Sequence, residues 1–181
     1  MSYKIRLVEI EDASFIIKLR SNPKLNKHLN KTSPSVENQI NWIKEYKKRE
    51  DKKEEFYFIV LENGIKRGLY RLYNVNKYSF TIGSWLFDNC IYKQLPIISD
   101  LLISEYGFKI LGLPIMLFDI RKQNRKVISY HSLKEPLCYN ENDENLYYLI
   151  KSEDWTNSKK NIMSFFGIEQ AFLDDIQIIT D

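Results

Sequence analysis

Three strand-like segments follow one another between residues 56 and 87, and this succession constrains the fold more than any other feature of the chain. Residues 56–61 are a short apolar run, and residues 62–64, which end in glycine, are a typical hairpin turn. A return strand is predicted at 66–73, and another strand at 78–87 follows the polar segment 74–77. Strands joined by such short turns pair antiparallel. The segment therefore predicts the antiparallel part of a sheet.

Two helices are predicted between a first strand and this unit. Residues 3–9 alternate in the manner of a strand. Asp12 can cap the helix that follows, which has an apolar face and stops before Pro23. The serine and proline at 33–34 are typical of an N-cap and a first helical position, and this second helix is expected to run to about Lys48.

The second half of the chain continues with alternating helices and strands. The predicted elements are a long helix that includes 98–106, a strand at 115–120, a helix at 122–133, a strand at 146–150 and a polar tail with one more helix through Phe165. The run at 115–120 lacks alternation, which predicts a central strand covered on both faces. Because no linker or repeat interrupts the chain, we expect one domain over 1–151, with 152–181 packed on it as a C-terminal extension.

Composition excludes several classes of protein. The 181 residues have a net charge of only +3 with both signs interspersed, whereas a nucleic-acid surface concentrates lysine and arginine on one face. Cys90 and Cys138 are isolated, so they form neither a metal-ligand pattern nor a disulfide framework, and they are typical of a reducing compartment. The chain begins directly in a strand pattern, and no segment has the length and apolarity of a membrane span. We therefore expect a cytoplasmic protein without a metal, nucleic-acid or membrane partner.

Several segments resemble motifs of one enzyme family. They are residues 9–13 at the first strand-to-helix junction, 82–86 in the fourth strand, 106–113 at the end of the long helix, and 119–126 with 129–131 in the fifth strand and the helix after it. In this order and spacing, residues 3–150 resemble the GCN5-related N-acetyltransferase (GNAT) family. The resemblance implies an α/β (α+β) fold: a mixed, mostly antiparallel central sheet flanked by helices, with a V-shaped split between strands 4 and 5.

The chain resembles one branch of that family more closely than the others. Residues 20–23, followed by an amphipathic helix that contains Trp42, are similar to the branch that acetylates ribosomal-protein N-termini or nucleotide-linked amino sugars. The resemblance implies that Arg20 and Asn22 contact the acceptor amine. The alternative is that both residues only form a helix end and a turn before Pro23.

The resemblance also implies acetyl-CoA as co-substrate. In the family, backbone groups of the fourth strand hold the pantetheine arm, and here these groups belong to Trp85, Leu86 and Phe87. The pyrophosphate lies on a glycine-containing loop that opens the next helix, where free amides and the helix dipole attract anions. The corresponding residues here are Lys93, Gln94, Leu95 and Ile97. The loop contains no glycine, and its Pro96 has no amide to donate, but Lys93 keeps a basic group.

Two further residues are implicated by the same resemblance. Asn124 corresponds to a position that contacts the cofactor, and it can equally cap the helix that follows. His131 stands where many relatives place a tyrosine that protonates the departing thiolate, a task that an imidazole can perform near neutral pH. The alternative for His131 is an ordinary histidine on a helix surface. The spacing of the acidic residues selects no general base.

The function implied is transfer of an acetyl group from acetyl-CoA to a primary amine, with a nucleotide-linked amino sugar as the favoured acceptor. N-terminal acetylation of a protein is an alternative within the enzymes. A non-catalytic GNAT-like binding module is a second alternative, favoured by the glycine-free loop. Apolar residues of the C-terminal tail either cover the core or form a homodimer contact; they include Ile162, Phe165, Phe166, Ile168 and Phe172.

Overall fold

An eight-stranded sheet is the centre of the computed structural model, which describes residues 1–28 and 35–180. The strands are β1 (Tyr3–Leu7), β2 (Phe56–Glu62), β3 (Ile65–Tyr73), β4 (Ser79–Phe87), β5 (Ile115–Arg121), β6 (Leu137–Glu141), β7 (Asn145–Lys151) and β8 (Gln177–Ile179). Their order across the sheet is β6-β7-β5-β4-β3-β2-β1-β8. The β4–β5 and β1–β8 pairs are parallel and the other neighbours are antiparallel. The predicted mixed, mostly antiparallel sheet is confirmed.

Helices lie on both faces of this sheet. In the described residues they are α1 (Ala13–Arg20), α2 (Val36–Asp51), α3 (Leu95–Glu105), α4 (Arg125–Ser132), α5 (Ser152–Phe166) and α6 (Gln170–Asp174). α1 and α2 pack on one face in a core that includes Ile16 and Tyr57. α3 and α5 pack on the other face in a larger core that includes Phe58, Leu101 and Ile162. Because Tyr57 and Phe58 are successive residues that point to opposite faces, β2 is buried on both sides.

β4 and β5 separate after a short parallel contact. They pair only between Ser79–Thr81 and residues 115–117. Further along β4, Ser84 and Trp85 both lie opposite Tyr70 of β3, which is a β-bulge, and Ser84 has a left-handed φ of 51°. A bulge increases the local twist and bends its strand. The bulge thereby turns β4 away from β5, and the predicted V-shaped split is confirmed.

Asp12 does not cap α1 as the sequence analysis predicted. Its fully buried carboxylate lies 2.6 Å from Arg6 and 2.5 Å from Lys66, and it accepts the amide of Glu9 at 2.8 Å. Among residues 1–28 and 35–180, no side-chain hydrogen bond caps the first turn of α1. Asp12 instead closes the 3₁₀ turn (Ile10–Asp12) that leads into this helix, and it ties that turn to the sheet.

The second helix is described from Val36 onward. The predicted start at 33–34 lies outside the described residues. In the structure the N-cap is Ser35, whose Oγ accepts the amide of Asn38 at 3.2 Å. The helix continues to Asp51, three residues beyond the predicted end.

β5 is central, but the prediction that both of its faces are covered is wrong. Met116 and Phe118 are buried, whereas Asp119 between Phe118 and Ile120 is exposed. The face that carries Asp119 opens onto the split between β4 and β5. The apolar run therefore reflects one buried face and one face that borders a cleft.

Three elements were missed at the ends of the sheet. All residues of β6 are exposed, so this edge strand has no buried face that would produce alternation. β8 has only three residues and pairs with β1, and the short α6 precedes it. Trp155 and Ile162 of α5 belong to the same core as the sheet, while the predicted boundary at residue 151 stays a prediction. Within 1–28 and 35–180, no helix combines the length and apolarity needed to cross a membrane.

Candidate active site

A cavity of about 770 Å³ opens where β4 and β5 separate. Its walls come from β3, β4, β5, the start of α4, and the end of α1 with the turn after it. The predicted site residues in its lining are Arg20, Trp85, Leu86, Phe87, Asn124 and His131. The predicted site residues outside its lining are Asn22, Lys93, Gln94, Leu95 and Ile97. The cavity therefore joins the predicted acceptor segment to the predicted pantetheine strand.

Residues 85–87 of β4 use their side chains for packing. The indole N–H of Trp85 donates to the carbonyl of Pro96 at 3.0 Å, and its ring centroid lies 4.9 Å from that of Tyr130. Leu86 is buried on the α1–α2 face. The ring of Phe87 lies over Gly68, where a Cβ atom would come within 2.2 Å of it. What β4 offers to a ligand here is its backbone, in agreement with the predicted role of these residues.

The predicted pyrophosphate loop leaves the start of α3 open. The side chain of Gln94 turns toward α5, where its amide donates to the carbonyl of Phe166 at 2.7 Å, and it also accepts the hydroxyl of Tyr92 at 2.6 Å. Leu95 is buried in the core, and the ammonium of Lys93 donates to the carbonyl of Cys90 at 2.9 Å. Within the part of the chain that the structure describes, no side chain caps the start of α3, and the amide of Leu95 donates to the carbonyl of Tyr92 at 3.1 Å. Neither Gln94 nor Leu95 fills the cleft, so the missing glycines do not obstruct it.

A buried carboxylate holds the segment before α3 in place. Glu62 accepts the amides of Ile91 and Tyr92 at 2.8 and 2.7 Å and pairs with Arg67 at 3.1 Å. Burial alone would raise the pKa of Glu62, but these hydrogen bonds and the nearby guanidinium hold it below its ordinary value. The end of β2 thereby fixes the chain that leads into the predicted phosphate loop.

His131 lies in the wall of the cavity and not on the helix surface, so the surface alternative is wrong. Its ring packs 4.7 Å from Phe118 and 5.9 Å from Trp85, and only 5% of the residue is exposed. Burial, together with the positive charge of Lys134, lowers the pKa of His131 to about 3. The imidazole is therefore neutral at physiological pH. The acid role remains a prediction, and in this environment only a neutral ring N–H could serve it.

The two predicted acceptor residues differ in position. Arg20 lines the cavity, and its Nη1 lies 3.5 Å from the hydroxyl of Ser84 at the bulge of β4. The side-chain oxygen of Asn22 accepts the amide of Lys24 at 2.9 Å, and its carbonyl accepts the amide of Leu25 at 2.9 Å. Asn22 thus builds the turn after α1, as the alternative interpretation held, and this turn brings other side chains to the cavity.

Asn124 does cap the helix that follows it. It is the N-cap of α4, and its side-chain oxygen accepts the amide of Val127 at 3.5 Å. It also lines the cavity, so the capping and ligand interpretations are compatible. Its contact with the cofactor stays a prediction.

The lining of the cavity is strongly cationic. Its lysine and arginine side chains are Arg20, Lys24, Lys27, Arg71, Arg121 and Lys126. Among the described lining residues the one carboxylate is Asp119. Arg71 is held by Glu55 at 2.5 Å and stacks on Trp42 and Tyr73. A cavity with this balance favours anionic ligands.

Comparison with known proteins decides the family. The model of the acetyltransferase (GNAT) domain matches residues 4–131. The chain belongs to the GNAT acetyltransferase family. None of the curated proteins compared with it matches.

Solved structures agree with this assignment. A nucleotide-linked sugar GNAT, FdhC in its apo form, is 35% identical, with 92% of this chain and 94% of that one covered and a TM-score of 0.79. Ribosomal-protein-S5-alanine acetyltransferase from Vibrio fischeri is 15% identical, with coverages of 86% and 96% and a TM-score of 0.74. Campylobacter jejuni N-acetyltransferase PseH in complex with acetyl coenzyme A is 17% identical, with coverages of 81% and 98% and a TM-score of 0.61. The latter two show the fold alone.

This GNAT protein is an acyltransferase with acetyl-CoA as co-substrate, and its residues fit that group. The edge of β4 beyond Thr81 has no partner strand on the β5 side among the described residues, so its backbone groups are open to the pantetheine. At the positive end of α3, the amide of Ile97 has no side-chain cap among the described residues, whereas the amide of Leu95 already donates to the carbonyl of Tyr92 at 3.1 Å. The basic side chain of Lys93 lies just before this helix start. Pro96 removes one amide, and the basic side chain adds charge in its place.

Sequence reasoning missed a buried polar cluster behind the cavity of this GNAT protein. The carboxylate of Asp100 in α3 lies 2.6 Å from the ammonium of Lys134, and both side chains are fully buried. The hydroxyl of Tyr130 donates to Asp100 at 2.5 Å, and the hydroxyl of Tyr70 donates to it as well. Burial raises the pKa of Asp100, but Lys134 and the hydrogen bonds hold it below its ordinary value. Because Tyr130 also packs on Trp85, the cluster supports the wall of the cavity.

Proposed function

We propose that this enzyme transfers the acetyl group of acetyl-CoA to the primary amine of a nucleotide-linked amino sugar. The cationic lining of the cavity carries the proposal. A nucleotide-linked sugar has two phosphate charges between its base and its sugar, and those charges need lysine and arginine partners near the acceptor amine. Arg20, Lys24 and Lys27 line the α1 end of the cavity, and we propose them as these partners. The similarity to a nucleotide-linked sugar GNAT supports the same acceptor.

The same electrostatics disfavour other acceptors. Two unit charges 8 Å apart interact by about 2 kcal/mol at an effective dielectric constant of 20. A polyamine or a lysine-rich protein N-terminus would therefore be repelled by this lining, whereas a diphosphate would be attracted. The unobstructed cleft and the open start of α3 also speak for an acetylating enzyme over a binding module that has lost its cofactor.

The chain's own groups support the reaction in three ways. When bound, acetyl-CoA supplies an activated acetyl thioester. An amide of the open β4 edge is placed to donate to the thioester oxygen as negative charge develops on it. The cavity holds the amine and the acetyl carbon together, which removes much of the entropic cost of a reaction between two molecules. Trp85, Phe118 and His131 form an apolar wall that limits access of water to this point.

The proposal is tested by following thiol release from acetyl-CoA with the purified protein. The acceptors are a panel of nucleotide 4-amino-sugars, spermidine, and a peptide with the N-terminal sequence of a ribosomal protein. Rapid turnover with a nucleotide sugar and slow turnover with the two cationic acceptors are expected. Faster turnover with spermidine or the peptide than with every nucleotide sugar would refute the proposed acceptor.

A further inference from the structure

One side chain in the lining of the cavity is negatively charged, opposite in sign to the lysine and arginine side chains around it. Asp119 of β5 is the carboxylate of the described lining, and it forms no ion pair or hydrogen bond with another described residue. The neighbouring arginines are engaged elsewhere, since Arg71 pairs with Glu55 and Arg121 with Glu144. Asp119 is therefore a carboxylate without a structural task in a cavity of positive charge.

The position of Asp119 follows from the register of the sheet. The last paired residues of β4 and β5 are Thr81 and Leu117. Asp119 is two residues beyond Leu117 and Gly83 is two residues beyond Thr81, so both lie on the same face as that last pair, at the point where the strands separate. A thioester bound along the open edge of β4 would lie beside this separation of the strands. Asp119 is thus next to the place where an amine must attack.

The ring of Tyr73 lies over Gly83 of β4. A Cβ atom at Gly83 would lie 3.0 Å from the ring of Tyr73, so the ring covers the strand closely there. Burial, together with the charge of Asp119, raises the pKa of Tyr73. Tyr73 and Asp119 both line the cavity beside this part of β4.

We propose that Asp119 is the general base of the reaction. The neutral amine attacks the carbonyl carbon of the acetyl thioester, and a nitrogen–carbon bond forms. The nitrogen becomes positively charged in the tetrahedral intermediate, and its proton passes to the carboxylate of Asp119. The carbonyl then re-forms, the carbon–sulfur bond breaks, and the thiolate leaves with the bonding electrons. The thiolate takes a proton from water, and the proton held by Asp119 neutralises the hydroxide that remains, which restores the carboxylate. This step uses the acetyl transfer of the family and rests on the proposed acceptor only for the identity of the amine.

Several charged or titratable groups face Asp119 from the surrounding elements. They are Arg71 and Tyr73 of β3, Arg121 of β5, Tyr147 opposite it on β7, and Arg20 and Lys24 at the end of α1. The cations among them create a positive potential around Asp119 and around an amine bound beside it. They also disfavour a protonated amine in the cavity, so the nucleophile arrives in its reactive form.

The test compares Asp119→Asn and Asp119→Glu with a matched control, Asp143→Asn, in the exposed turn between β6 and β7. Thiol release from acetyl-CoA is measured with a nucleotide 4-amino-sugar and, separately, with concentrated hydroxylamine, a small neutral nucleophile that needs no nucleotide subsite. Asp119→Asn is expected to lower kcat about 100-fold or more with either acceptor, in the range found for general bases. The pH profile of the wild type should have an acid limb. The rate of Asp119→Asn should lack this limb and rise steadily with hydroxide concentration instead. Asp119→Glu should recover part of the rate, and Asp143→Asn should behave as wild type.

Two results would overturn the assignment. One is an unchanged kcat and pH profile in Asp119→Asn. The other is a raised KM for the sugar with an unchanged kcat for hydroxylamine, which would make Asp119 a binding residue. If the wild type acetylates hydroxylamine but no nucleotide sugar, the proposed acceptor fails, and the hydroxylamine series alone decides the role of Asp119.

Discussion

Replacing Lys134 with methionine is expected to destabilise the protein strongly, because the Asp100 carboxylate would stay buried without its cation. Both side chains are fully buried, and their charged atoms are 2.6 Å apart. Removal of one partner from such a pair typically costs about 3–5 kcal/mol. Hydroxyls of Tyr70 and Tyr130 still donate to the carboxylate and offset part of this cost, so a loss of about 3 kcal/mol is expected. In a chain of this length, that loss lowers the melting temperature by about 6–12 °C.

Urea unfolding followed by tryptophan fluorescence measures this loss. The control is Lys151→Met, which removes the partner of Glu153 in a pair 3.3 Å apart with both side chains more than half exposed. An exposed pair of this kind contributes at most about 1 kcal/mol. The double variant Lys134→Met with Asp100→Asn should be more stable than Lys134→Met alone, because no unpaired charge remains in the core.

Two outcomes would refute the reasoning. An unfolding midpoint of Lys134→Met equal to that of the wild type would mean that Asp100 is protonated or reached by water in the folded protein. A double variant no more stable than the single variant would mean that the loss comes from packing around the lysine stem. Lys134 lies within 6 Å of the ring centroids of Phe118, Tyr130 and Trp155, so this packing is the competing cause that the double variant separates from charge.

Three further predictions concern the cavity and its loop. Arg20→Gln should raise KM for a nucleotide sugar about tenfold, equivalent to about 1.4 kcal/mol, and leave KM for acetyl-CoA unchanged. The control Lys18→Gln, at an exposed position of the same helix, should change neither KM. Equal effects of Arg20→Gln on both KM values would contradict an acceptor role. The pKa of about 3 for His131 lies below its ordinary 6.5, so between these values the unfolded chain binds a proton that the folded protein does not. The free energy of unfolding should therefore fall as the pH falls through this window. His131→Phe should make this fall less steep in urea titrations at pH 4–6, and an unchanged slope would contradict the prediction. Glu62→Gln should raise the Kd for CoA measured by calorimetry, because the amides of Ile91 and Tyr92 lose their charged partner, and an unchanged Kd would show that the loop is held by other contacts.

The architecture was predictable where local signals and burial act together. The apolar run at 56–61, the turn at 62–64 and the polar segment 74–77 predicted three consecutive strands, and β2, β3 and β4 are present in that order. β6 was not predictable in this way, because an exposed edge strand gains no hydrophobic burial and so selects no apolar alternation. The prediction that Asp12 caps a helix was wrong because an aspartate before a helix is usually a cap, and only the folded sheet brings Arg6 and Lys66 to its carboxylate.

The candidate site was predictable only in part, for a related reason. Residues 85–87 could be placed from their strand, since their proposed role uses backbone atoms. His131 was correctly placed near the cleft, but its burial depends on Phe118 and Trp85, which are distant in sequence. Asp119 looked like one residue within an apolar strand, and its exposure arises because β4 bends away at the bulge. The burial of His131 and the exposure of Asp119 depend on contacts between segments that are distant in sequence, so no local sequence pattern predicts them.

The charge distribution of the cavity is compatible with two requirements of acetyl transfer to a nucleotide-linked amino sugar: binding of anionic substrates and deprotonation of the acceptor amine. Both substrates are anionic and need cations for binding, whereas the acceptor amine must lose its proton before it can attack. A lysine or arginine near the amine lowers the amine's pKa, and a tenfold gain in the ratio of neutral to protonated amine corresponds to about 1.4 kcal/mol. The cations proposed to bind the diphosphate would therefore also lower the pKa of the acceptor amine. A carboxylate placed only at the point of attack, as Asp119 is, then removes the proton after the bond has formed without weakening phosphate binding elsewhere in the cavity.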